Sequence, residues 1–388
     1  MQTRSWDLAV IALAALLAAG LARGATLSVT SERVLQKIVY PDRIESFGIH
    51  RDGVTAPHLK QVIIPVGILI QNPDTTVRGS TTELLRHPFS GGFESLGRVG
   101  SVDRLAVTPD NDLLIQTRKT LARFDLQSDE TVWKIPLPTQ TSTVNQLAQA
   151  RDGALYLSDP GTGTLRKLDP RSGATLTVVP SRSLLAAVGD GEILTFTDGR
   201  FRLIDDSGQV KWEAGKVYPH KSYGGARVEP DGAIVLDEYV SATHPDENLR
   251  RKTWLTVLGP DGTERWNRVT DQWLRATGHT SLYVQGNASG ETYLAALDKQ
   301  TGAVVWSKPV AHTQAELVMV SEIGGKLFVG IGAELRLLDA ATGSMLAAHR
   351  WEGRTQTRVL GGHAGSIVVT NRDDREPYRY YLVSVAVR

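Results

Sequence analysis

Short apolar runs alternate with tight polar turns along most of the chain. LLIQT (113–117), LYLSD (155–159), ILTFT (193–197) and IVLDEY (234–239) each follow an Asp-centred turn: PDND, RDGA, GDGE and PDGA. GGKLFVGIG (324–332) and HAGSIVVT (363–370) continue the series. Runs of this length, rich in β-branched and aromatic residues and entered through Asp-Gly, predict antiparallel hairpins. After the first two dozen residues no stretch keeps the 3.6-residue period of a helix.

A second pattern interleaves with the first. In ALDKQTGAVVW (296–306), Asp298 follows an apolar pair, Thr301-Gly302 makes a turn, and Trp306 closes a valine run. The aspartate can accept hydrogen bonds from the N–H groups of its own turn. Gly302 supplies the positive φ that the turn needs. Trp306 is large and flat enough to fill a wedge between neighbouring sheets. The pattern recurs with drift. Asp125 stands eight residues before Trp133, and Asp205 seven before Trp212. Gly259 occupies the acid position seven before Trp266. Asp169 keeps its glycine, Gly173, but leads into valines. Asp339, Thr342 and Gly343 keep the turn, with Trp351 displaced. These residues are expected to build the scaffold rather than perform chemistry.

The repeat length is near forty: Asp125 to Asp169 is 44 residues, Asp169 to Asp205 is 36, and Asp298 to Asp339 is 41. Four short strands at that period predict the blades of a β-propeller. Markers at 87, 125, 169, 205, 259, 298, 339 and 384 count eight four-stranded blades. The irregular first unit (44–100) leaves seven as the alternative. The last unit has no room for a fourth strand after LVSVAV. ATLSVTSERVLQKIVY near the N-terminus can supply it, closing the ring by pairing the two ends and removing exposed edges.

Composition narrows the picture. Lys and Arg total 43 against 42 Asp and Glu, a net charge of +1, so there is no global basic field for nucleic acid. The chain has no cysteine, which excludes disulfides, thiolate metal sites and a cysteine nucleophile. Residues 1–24 read as a signal peptide: Arg4, an apolar run from Leu8 to Ala22, and small residues at a cleavage site before Ala25. Fifteen apolar residues fall short of the roughly 20 that cross a bilayer. The expectation is one propeller domain over 25–388, exported to the periplasm or beyond, monomeric, with no membrane span once the signal is removed. A retained N-terminal anchor is the alternative.

Ala296, Asp298, Thr301, Gly302 and Trp306 match a repeat close to A-x-D-x-x-T-G-x-x-x-W. In these residues the chain resembles the PQQ-like, quinoprotein-type propeller repeats, over about Leu105 to Val387. RDGALYLSDPGTGTLRKLD is equally similar to NHL-type and streptogramin-lyase-like propellers. Among PQQ-like members, the length and blade count resemble the eight-bladed scaffold propellers of outer-membrane assembly, but the lipid-acceptor cysteine of those proteins is missing. The resemblance therefore implies a binding scaffold. The quinone-dependent dehydrogenases share the repeat and bring PQQ and calcium as the lesser cofactor alternative; no compact ligand set stands out, and no cofactor is expected.

Candidate binding residues gather in segments assigned to one loop face. The segment 237–254 holds Asp237, Glu238, His244, Arg250 and Arg251. Arg372, Arg375 and Tyr378 lie in 371–381, and Tyr218, His220 and Tyr223 in the inter-blade stretch before 225. Tyr and Arg are the types most enriched at binding hot spots. The expected partner is a protein or polymer of the cell envelope. The competing class is a channel-mouth enzyme, a metal-dependent lactonase or a lyase, with Glu45, Asp103, Asn145 and Glu316 as the inward-pointing set. An arylsulfotransferase-type site is disfavoured, because GARV (225–228) stands where a His-rich segment would be.

Overall fold

The computed structural model describes residues 25–36, 38–39, 42–49, 54–74, 76–89, 91–137, 147–150, 152–159, 161–181, 184–189, 191–214, 225–240, 247–249, 252–311, 318–363, 365–373 and 379–387. Its strands form eight antiparallel sheets, and the one helical piece among these residues is a single 3-10 turn at Glu247–Leu249. The eight sheets are the blades of a β-propeller, numbered here along the chain. First strands lie side by side around a central shaft. Val54–Ala56 of blade one adjoins Val102–Val107 of blade two; Leu147–Gln149, Ala186–Gly189 and Gly225–Val228 follow in turn from blades three to five. Trp273–Thr277, Val318–Ile323 and Gln356–His363 complete the circuit back to Val54–Ala56.

Seven sheets have four strands, but blade one has six. Its second strand, Gln61–Gln71, is long enough to pair with two partners end to end: Val54–Ala56 along its first residues and Ile44–Gly48 along its last. Ile38–Val39 adds to the latter. Blade eight takes its outermost strand, Leu27–Gln36, from the start of the chain, paired with Arg379–Val387. The two chain ends thus close the ring.

The core lies between the blades. Val235, Leu255 and Val257 of blade five pack on Leu282, Val284 and Leu297 of blade six, all with no exposure. The alternate residues Ile234 and Leu236 pack instead with Leu194 and Phe201 of blade four. Both faces of each sheet are covered, so the runs read as continuous apolar stretches. Each such side chain contributes about 1.5–3 kcal/mol.

The Asp-turn-Trp motif joins blades. Asp298 Oδ1 accepts from the N–H groups of Gln300 (3.0 Å) and Thr301 (2.8 Å) and from the Thr301 hydroxyl (2.8 Å). Those bonds, the hydroxyl's foremost, hold its carboxyl below the usual range. Gly302 has φ of 70°, and a Cβ there would meet the Trp266 ring of blade five at 2.8 Å. Trp266 Nε1 donates to the Lys299 carbonyl of the same turn at 2.9 Å. The arrangement repeats with Trp133 on Pro170 and Gly173, Trp212 on Pro260 and Gly262, and Trp306 on Ala340 and Gly343. Asp125, Asp169, Asp205 and Asp339 all accept N–H bonds from their own turns. Where Gly259 replaces the acid, Asp261 takes over, accepting from the N–H and hydroxyl of Thr263.

Candidate functional site

The second strand of blade five, Ile234–Tyr239, leads into the segment read from sequence as a charged loop. Its pairing with Thr253–Leu258 runs to the end, Asp237 opposite Leu255 and Glu238 opposite Trp254. Val240 N then donates to Lys252 O at 2.8 Å. Asp237 and Glu238 are therefore strand residues, not loop residues. Alternation along the strand places Glu238 on the blade-four side with Leu236, and Asp237 on the blade-six side with Val235. Glu238 is 3% exposed, whereas the next residue, Tyr239, is 48% exposed.

Asp237 Oδ1 and Glu238 Oε1 are buried and have no hydrogen-bond partner among the described residues. Burial raises both carboxyls: Asp237 above its ordinary value despite the attraction of Arg227, and Glu238 from 4.5 to about 7. An acid whose folded pKa is raised favours folding most below its unfolded value. Stability from Glu238 is therefore full below pH 4.5, falls as pH rises from there to about 7, and is level above. Glu238→Gln keeps the shape and removes the charge. It is expected to leave stability at pH 4.5 unchanged and to raise it at pH 8 by on the order of 2–3 kcal/mol. Urea denaturation across that range checks this, and parallel curves for both proteins would refute it.

Among the other candidates only Arg372 is described. It lies in Ser366–Asp373 of blade eight, three blades from Glu238, where its carbonyl accepts from Thr355 N at 2.8 Å. The structure does not bring it together with the blade-five acids. Tyr218, His220, Tyr223, His244, Arg250, Arg251, Arg375 and Tyr378 lie outside the described residues, as do Asn145 and Glu316.

The inward-pointing acid set fails where it can be followed. Glu45 is on the added strand of blade one, 1% exposed, gripped by Arg98 (3.0 Å) and Arg43 (3.1 Å), which hold its carboxyl below the usual range. Asp103 lines a cavity of about 420 Å³ between blades one and two with Thr82 and Arg118. The two do not converge. Among the described residues no group of three or more His, Asp or Glu is placed to hold a metal ion.

No family model and no curated protein matches this chain. Solved structures with a similar fold include BamB from Moraxella catarrhalis, 14% identical, with a TM-score of 0.48 over 92% of this chain and 97% of that one. Hsv2 from Kluyveromyces lactis, 10% identical, scores 0.45 over 72% of this chain and 96% of that one. The Cps50 (Swd1) β-propeller domain from Myceliophteria thermophila, also 10% identical, scores 0.46 over 74% and 97%. The likeness is one of fold alone.

Proposed function

We propose that this chain is an exported, non-catalytic propeller of PQQ-like repeats that binds a protein or polymer of the cell envelope on the face where the blade-five strands end. The observation that carries the reading is the acid pair. Burying a carboxylate without a partner costs several kcal/mol; Glu238 is so placed, next to Asp237, whose Oδ1 is also buried and unbonded among the described residues, and to the exposed Tyr239. A Lys or Arg brought by a partner would supply the missing counter-charge, with Tyr239 offering contact area at the rim. Export rests on the signal-like residues 1–24, and the repeat type on the Asp-Gly-Trp spacing. Neither requires a cofactor, and release as a monomer is the expected state.

The test is crosslinking of residues 25–388 in its native envelope, followed by titration of the recovered partner. Asp237→Asn with Glu238→Gln is expected to weaken the measured Kd about tenfold or more. Wild-type binding should tighten as pH rises through about 7, when Glu238 ionises. No recovered partner, or equal affinity for both proteins, would overturn the reading.

One observation favours a second reading. A carboxyl near pKa 7 suits general acid–base work at neutral pH, as a lactonase- or lyase-like site would need. Lactone hydrolysis that vanishes in Glu238→Gln would support it over the binding role.

A further inference from the structure

Several arginines of the fold are paired with acids. Arg123 meets Asp112 at 2.5 Å and Asp110 at 3.1 Å. Arg98 meets Glu45, Arg86 meets Asp129 and Glu94, and Arg336 meets Glu334. Arg104 and Arg275, both on first strands and both lining cavities, have no such pairing among the described residues. Arg104, in Val102–Val107 of blade two, donates from Nη1 to the Leu147 carbonyl of blade three. Arg275, in Trp273–Thr277 of blade six, donates from Nε to Gln285 Oε1 at 2.7 Å and lies 5.8 Å from the Trp273 ring centre. Neither has a carboxylate within ion-pair distance among the described residues.

Both line the central shaft. Arg104 borders a cavity of about 490 Å³ bounded by blades one to five, with Thr55, Thr108, Asn111 and Gln149 also in its wall. Arg275 borders one of about 360 Å³ bounded by blades six to eight. Among the described residues, neither lining includes an Asp or Glu. Arg104 is open to solvent within the shaft yet crowded by protein, and that crowding lowers its pKa, as it does for Arg275. With a net charge of only +1, this positive potential is local, and a walled shaft concentrates it.

We propose that the central shaft is a binding site for a small oxyanion, a carboxylate or phosphate compound, held by the free edge of the Arg104 guanidinium with Gln149 and Thr108 as neutral hydrogen-bonding neighbours. The Leu147 carbonyl engages Nη1 and sets the plane of the fork, leaving further N–H donors for two oxygens of one anion, the pairing that guanidinium geometry favours. The cavity is in the size range of small-molecule sites. This site is separate from the blade-five acids and stands whether or not they bind a partner.

Calorimetric titration of residues 25–388 with phosphate and with citrate, at ionic strength held constant with sodium chloride, tests it. Saturable binding of either anion is expected, and which one binds identifies the headgroup. Arg104→Gln should weaken it about tenfold or more. Arg104→Lys, which keeps the charge but loses the fork, should fall between. Far-UV circular dichroism verifies that each variant folds. Heats no greater than those of added chloride, or wild-type affinity in both folded variants, would overturn the proposal.

Discussion

Lys299→Ala should destabilise the propeller by about 3–5 kcal/mol, because it removes the buried counter-charge of Glu229. Lys299 follows the third strand of blade six and is 8% exposed at its side chain; its ammonium meets Glu229, 7% exposed, in the first turn of blade five. The Lys299 backbone is tied in as well, its N–H to Thr280 O at 3.0 Å and its carbonyl to Trp266. The substitution leaves those backbone bonds in place and removes the ammonium opposite Glu229 together with its buried stem. Replacing both partners by neutral residues of similar volume, Lys299→Met with Glu229→Gln, should restore most of the loss. Guanidinium denaturation of the three proteins measures it. A single variant within about 0.5 kcal/mol of wild type, the range of ordinary surface changes, would show that the pair is not closed off from water.

Trp306→Ala should cost a similar amount, about 3–5 kcal/mol, the usual range for deleting a buried aromatic. Trp306 is 7% exposed, lies 6.1 Å from Tyr283 between ring centres, and donates to Ala340 O at 3.0 Å. Gly343 sits against the indole so closely that a Cβ would come within 2.6 Å of it. Surrounding strands therefore cannot collapse into the space without moving the blade-seven turn. Trp306→Phe keeps most of the area and loses the hydrogen bond, so about 1 kcal/mol is expected. Equal losses for Ala and Phe would mean that the hydrogen bond, not the packing, joins these blades. Trp351 offers a contrast within the same molecule: its Nε1 has no partner among the described residues.

The ring was legible in the sequence because its period is carried by residues with few substitutes. Gly302 must adopt positive φ and admit a tryptophan face, and Trp306 must reach the next turn. Blade one was harder to read: Ile38–Val39 and Ile44–Gly48 are short runs without an Asp-Gly turn between them, so nothing local announces two extra strands. Asp237 and Glu238 ended an apolar run and opened a charged one, and the loop reading won over the strand reading. Only the cross-strand partners Leu255 and Trp254 decide the matter. Arg104 left no signal at all. Periodicity locates an arginine on a strand, but which way the shaft lies is a property of eight sheets together.

The joint between the two chain ends has a consequence for assembly. Thr30 bonds Ser384 across 354 residues of sequence, so the sheet that contains them cannot form until nearly the whole chain has been synthesised. Until then the leading segment waits unpaired, and the edge that will receive it does not exist. Contacts of such separation are made late and slowly, and unpaired edges invite wrong partners while they wait. The seam that leaves the finished ring without a loose end is thus the step at which a half-made chain is most in need of protection.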